Sequence, residues 1–142
     1  MGTPEPDSRA CKVVETVLTD TQSGAAQLAA TALTPVRQWL AAGEVSPDTL
    51  KKLLNDLAGA RPSMVPLANA IERVRQSLIG SQDSASAAEQ ALPVVDSVLE
   101  QIASANHRVA EIATTRIPER ARIFTHSRSS QVLAVFRLLV KQ

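Results

Sequence analysis

Very little of this chain is aromatic: Trp, Phe and Tyr together make up 2% of the 142 residues, and the formal charge at pH 7 is only +1. A nucleic-acid surface normally carries a basic excess or aromatic platforms for stacking bases, so direct nucleic-acid binding is not expected. Cysteine is nearly absent as well. With Cys11 alone, neither an intrachain disulfide nor a cysteine-based zinc cage can form, and a lone thiol in a helical pattern reads as a small apolar residue. No metal and no cofactor is implied. No uninterrupted apolar run reaches the length that crosses a bilayer. The opening Met1-Gly-Thr-Pro-Glu-Pro-Asp7 is acidic and lacks the positive start and apolar stretch of a secretory signal. A cytoplasmic protein, not held at a membrane, is the expectation.

What is present is enough for a packed core: 44% of the residues are apolar. Up to residue 116 they recur at spacings of three and four, which is a helical period, with almost no β-type alternation. Residues 8–19 predict a first helix with Cys11, Val14 and Leu18 along one stripe. An alanine-rich second helix covers 22–42, with a kink or break expected at Pro35, where a backbone donor is missing. Ser46-Pro47-Asp48 is a start signal, Ser46 as N-cap and Pro47 at the first helical position, for a helix carrying Leu50, Leu53, Leu54 and Leu57 and ending at Gly59. Ser63 is expected to cap a fourth helix reaching Ile79. The longest helix is expected from near Leu92 and Pro93 to about Thr115, with Leu92, Val95, Leu99, Ile102, Val109 and Ala113 near heptad spacing. Ile117-Pro118 closes it, since a residue before proline is pushed out of the helical region.

After that point the pattern changes. Arg120-Ala-Arg-Ile-Phe-Thr-His126 reads as a strand, followed by a polar turn, and then by a helix with Val132, Leu133, Val135, Phe136, Leu139 and Val140 on a broad apolar face. One strand leaves both its edges unpaired, and such a helix needs a sheet or a partner beneath it. The expected architecture is therefore mainly α: a helical bundle of about five helices over residues 1–116, then over 117–142 the first strand and helix of an incomplete Rossmann-like α/β domain. The chain is expected to be part of a longer protein or to complete its fold by association.

Three segments carry possible chemistry. In Gln22-Ser-Gly-Ala-Ala-Gln-Leu-Ala29, Gly24 at a helix start lets an anion approach exposed N–H groups; the plain alternative is a cap with small packing residues. In Ala60-Arg-Pro-Ser-Met-Val-Pro-Leu-Ala-Asn-Ala-Ile71, Arg61 precedes a helix N-terminus, where it can join those N–H groups on a phosphate or else remain a solvated loop residue. The third, Ile123-Phe-Thr-His-Ser-Arg-Ser-Ser130, delivers Thr125, His126, Ser127, Arg128, Ser129 and Ser130 to a helix start, as ligand sites outside the carboxyl ends of strands do. A serine-rich helix cap is the alternative there.

Together the three resemble the family of the α, β and δ regulatory subunits of translation initiation factor 2B and the related isomerases of ribose 1,5-bisphosphate and methylthioribose 1-phosphate. The matching segments are Ser23-Gly24-Ala25-Ala26, Ala60-Arg61-Pro62-Ser63 with Leu67 and Asn69-Ala70, and Phe124-Thr125-His126-Ser127, in the family's order. The resemblance implies a helical domain followed by the start of a Rossmann-like one. It implies ligand contacts at Gly24, Ala25, Arg61, Ser129 and Ser130, beside the polar groups of Thr125, His126 and Arg128. It also implies a sugar phosphate or nucleotide-type ligand, and a second copy or a related subunit as partner. Two positions depart from the isomerases. Ser127 stands where they carry the catalytic cysteine, and Ser23 stands where they carry an early arginine. Their partner aspartate lies beyond the stretch matched here. A hydroxyl without a neighbouring base is a poor proton shuttle at neutral pH, so binding without turnover is the leading expectation and no catalytic residue is assigned. An active aldose-ketose isomerase and a plain helical interaction module are the alternatives.

Overall fold

The computed structural model describes residues 6–126 and 129–141, with side chains from Ser8 onward. Six helices are present among them: α1 Pro6–Thr19, α2 Ala25–Ala42, α3 Pro47–Ala60, α4 Val65–Ser77, α5 Ser84–Thr114 and α6 Ser130–Leu139. They fall into two compact units that divide between Leu99 and Glu100, within α5.

In the first unit α1 packs on α2 and α3, α2 on α4, and α3 on α4. The reason lies in α3, whose Leu50, Leu53, Leu54 and Leu57 share one face and are all buried. Leu28, Leu33 and Leu40 of α2 and Leu67, Ile71 and Val74 of α4 are likewise buried in the core. Each such side chain contributes roughly 1.5–3 kcal/mol by leaving water. The first half of α5 adds Ala87, Ala91, Val95 and Val98, again at helical spacing. An Arg37–Asp96 ion pair joins α2 to this half of α5.

The helix ends follow local chemistry. Ser46 caps α3 through its hydroxyl, which accepts from the Thr49 N–H at 3.2 Å. Gly43 ends α2 at φ 66, and the N–H groups of Gly43 and Glu44 return to the carbonyl oxygens of Leu40 and Trp39. Only glycine adopts that left-handed conformation without strain. At the start of α5 the Asp83 carboxylate accepts from the Ser86 N–H at 2.8 Å while the Ser86 hydroxyl accepts from the Asp83 N–H at 3.1 Å. This reciprocal box starts α5 eight residues ahead of the expected position near Leu92. Pro93 lies inside the helix and is exposed, so water can serve the carbonyl that its ring leaves without a donor. Pro35 is likewise accommodated inside an uninterrupted α2. α4 begins at Val65 behind Met64, not at a Ser63 cap.

The α1 stripe differs from expectation too. Val13 and Val17 are buried, whereas Cys11 is exposed and Leu18 is 48% exposed. Both stripes have helical spacing, and the packing against α2 and α3 selects between them.

The second unit contains the rest of α5, a connection and α6. Ala110 is its one fully buried apolar residue among those described, and no residue of α6 is buried. Past Leu99 the heptad-like stripe of α5 is only partly covered, with Ile102 and Ala113 half-buried and Val109 42% exposed. The helix closes through shortened bonds, Arg116 N–H to the Ala113 carbonyl and Ile117 N–H to that of Thr114. Next comes a tight turn closed by the Ala121 N–H on the Pro118 carbonyl at 3.2 Å, with Arg120 at φ 61. Residues 121–125 carry no regular structure, and no strand occurs among the described residues. A strand exists only through its ladder to a neighbour, and no second strand is there to pair with the expected one at 120–126.

Candidate anion-binding site

The loop between α1 and α2 is built on Asp20. Its N–H still bonds to the Thr16 carbonyl at the end of α1, while its carboxylate accepts from the N–H groups of Gln22 at 2.8 Å and Ser23 at 2.9 Å. This Asx turn directs the chain into Gly24, the N-cap of α2. Gly24 has φ −73 and ψ 166, a conformation open to any residue, and an added Cβ there meets nothing within 4 Å. No side chain caps this helix end and no acidic residue lies in its first turn. The first N–H groups of α2, including that of Ala25, therefore carry the positive end of the helix dipole without a side-chain acceptor.

Arg61 stands at the C-cap of α3. Its guanidinium donates to the backbone carbonyl of Asp20, so the loop after α3 is tied to the loop before α2. Its Nε is buried and has no acceptor among the described residues. An unfilled donor of this kind costs about 1–3 kcal/mol unless something accepts from it. The Ser23 hydroxyl, then the N–H groups of Ser23 and Gln22, and more weakly the Arg61 guanidinium, hold the Asp20 carboxyl below its ordinary value of 3.8. It is a stable anion at neutral pH and a poor proton acceptor.

Two of the three segments singled out in the sequence are thus brought together: Arg61 is bound to the turn that leads into Gly24 and Ala25. The third lies in the second unit. There Thr125 and His126 are exposed, and Ser129 is the N-cap of α6, its hydroxyl accepting from the Val132 N–H at 3.2 Å. Ser130 is the first residue of that helix and is half-buried. Ser127 and Arg128 lie outside the described residues. Asp20 was not singled out in the sequence. The signal was there in Asp20-Thr-Gln-Ser23, an Asx-turn pattern directly ahead of the glycine. Among the described residues no three His, Cys, Asp or Glu side chains group in a way that could hold a metal ion.

The sequence profile of the initiation factor 2 subunit family matches residues 10–142, and so takes in all three segments and both units. The chain belongs to that family. No curated protein matches it. Within the initiation factor 2 subunit family, then, this member is mainly helical, and none of its helices among the described residues is long and apolar enough to cross a membrane.

Proposed function

We propose that this chain is a non-catalytic member of the initiation factor 2 subunit family that binds a sugar phosphate or nucleotide-type anion and associates with a partner subunit. The observation that carries the ligand half is the attachment of Arg61 to the Asp20–Ser23 turn, next to an uncapped helix N-terminus with open space at Gly24. A phosphate placed there meets backbone N–H groups and a guanidinium with unfilled donor capacity. The Asp20 carboxylate offsets part of the arginine's charge, which favours a ligand held by directed hydrogen bonds over one drawn by net charge alone. Residues 117–142 are read as the opening of a Rossmann-like unit, whose Thr125, His126, Arg128, Ser129 and Ser130 are polar groups suited to an anion. Binding without turnover is favoured by Ser127, whose hydroxyl stands at the position of the isomerases' thiol, and by the depressed pKa of Asp20, which makes it a weak base.

Isothermal titration of the full chain with inorganic phosphate, ribose 5-phosphate and AMP tests the reading. At least one should bind, and Arg61→Ala should weaken it about tenfold or more, the loss expected for a charge-assisted contact. No heat from any of the three, or unchanged affinity in Arg61→Ala, overturns the ligand claim. Conversion of ribose 1,5-bisphosphate to its ketose by the chain, lost in Ser127→Ala, replaces it with the isomerase reading.

A further inference from the structure

The first unit carries a second recess that the ligand reading does not use. α1 and α2 run antiparallel, joined by the loop at 20–24 and tied near their other ends by the Arg9–Glu44 ion pair. Between them lies a groove of about 320 Å³, lined from α1 by Arg9, Lys12 and Thr16 and from α2 by Thr31, Pro35 and Trp39. Spacings of three and four keep each set on one helix face. The volume is at the lower end for small-molecule sites. From Arg9 to Thr16 the groove runs about 10 Å along α1, the length of one substituted ring with a short side chain.

The chemistry of the lining says what fits it. No acidic side chain lines the groove. Glu44 neutralises Arg9 from outside it, while Lys12 is exposed and takes part in no ion pair among the described residues. One uncompensated cation suits a monoanion such as a carboxylate better than a doubly charged phosphate. Trp39, the one tryptophan of the chain, is half-buried here beside Pro35, and an indole favours an aromatic ring as its neighbour. Toward the other end Thr16 and Thr31 bring acceptors. The Thr16 hydroxyl donates to the Lys12 carbonyl at 2.8 Å, which leaves its oxygen free to accept. Pro35 has no N–H for the Thr31 carbonyl, so an oxygen without its helical donor belongs to a residue of the same groove. Both oxygens call for a hydroxyl on the ligand. A third helix packed here would need an apolar stripe, which Lys12, Thr16 and Thr31 interrupt.

We infer that the groove between α1 and α2 binds a small hydroxylated aromatic acid, its carboxylate on Lys12, its ring against Trp39 and Pro35, and its hydroxyl toward Thr16 and Thr31. Neither Arg61 nor the Asp20–Gly24 turn lines this groove, so the inference does not rest on the anion site. The test uses the full chain and para-hydroxyphenylpropionate, read by isothermal titration and by the fluorescence of Trp39. The acid should bind saturably at about 1 mM or tighter, as a good fit for so few atoms allows, and should change the Trp39 emission. Its uncharged amide should bind at least about threefold more weakly, and so should cyclohexylpropionate, which keeps the acid but has neither aromatic ring nor hydroxyl. Lys12→Met, at an exposed position, should weaken the acid about threefold or more with the helical circular dichroism unchanged, and Lys12→Arg should restore it. No saturable binding, equal binding of acid and amide, binding that survives Lys12→Met, or an unmoved Trp39 emission overturns the inference. So does tighter Lys12-dependent binding of inorganic phosphate, which leaves the ring no part. Arg61→Ala should leave the acid bound; loss there without loss in Lys12→Met places the acid at the anion site and also overturns the inference. Failure here with phosphate binding retained removes only this groove, and the reverse result removes only the anion site.

Discussion

Replacing Gly24 by alanine separates what the fold requires from what a ligand requires. Gly24 has an ordinary φ of −73, and the added Cβ lies in open space. Two effects on stability remain and oppose each other. Alanine is poorer than glycine at an N-cap by roughly 0.5–1 kcal/mol, while a stiffer unfolded chain returns about 0.4–1 kcal/mol. The expected net change is within about 0.5 kcal/mol, a shift of about 2–3 °C or less in Tm for a chain of this length. Binding behaves differently. A phosphate that seats against the first N–H groups of α2 needs the volume the methyl group takes, and its affinity should fall at least about tenfold, or about 1.4 kcal/mol. Differential scanning calorimetry gives the first number, and titration with the tightest of the three anions gives the second. If Gly24→Ala binds as well as the parent while Arg61→Ala does not, the anion does not sit on the α2 N-terminus. If Tm falls by much more than expected, glycine is there for the fold.

Other outcomes follow from the same structure. Leu54→Ala opens a cavity in the centre of the first unit, where Leu54 is completely buried, and should cost about 2–5 kcal/mol in urea unfolding. Arg120→Gly removes a left-handed conformation from a residue with a Cβ and should stabilise the second unit by up to about 1 kcal/mol, read from hydrogen exchange of α6. Asp20 and Asp83 both titrate below 3.8, Asp20 through its bonds from Ser23 and Gln22 and Asp83 through those from Ser86. A carboxyl with a depressed folded pKa adds stability that is fully present above its unfolded pKa and is lost as pH falls through the lower folded value. Tm should therefore decline below about pH 4, and Asp20→Asn should flatten that part of the profile; an unchanged profile refutes the assigned turn.

How much of this was legible beforehand depended on whether a signal was local. Ser46-Pro47 and the four leucines behind it place α3 correctly, because a cap and a stripe are set within a few residues. In α1 Val13 and Val17 compete with Cys11, Val14 and Leu18 at the same period, and only tertiary packing decides. Pro93 is a stronger helix-start signal in the sequence than the Asp83–Ser86 box, yet exposure makes a proline inside α5 tolerable. The site shows the same division. Gly24 and Arg61 stood out by residue type, but the bond from Arg61 to the Asp20 carbonyl spans 41 positions and depends on how α1, α2 and α3 pack.

The bareness of α6 has a consequence for lifetime. A ten-residue helix with no fully buried side chain is held by its Ser129 cap and by partly buried apolar side chains alone, and helices that short are marginal in water. It should open at a small fraction of the free energy that unfolds the first unit, exposing backbone to proteases on every excursion. A molecule that covers α6 suppresses those excursions by mass action. Covering α6 should therefore lengthen the lifetime of the chain against proteolysis.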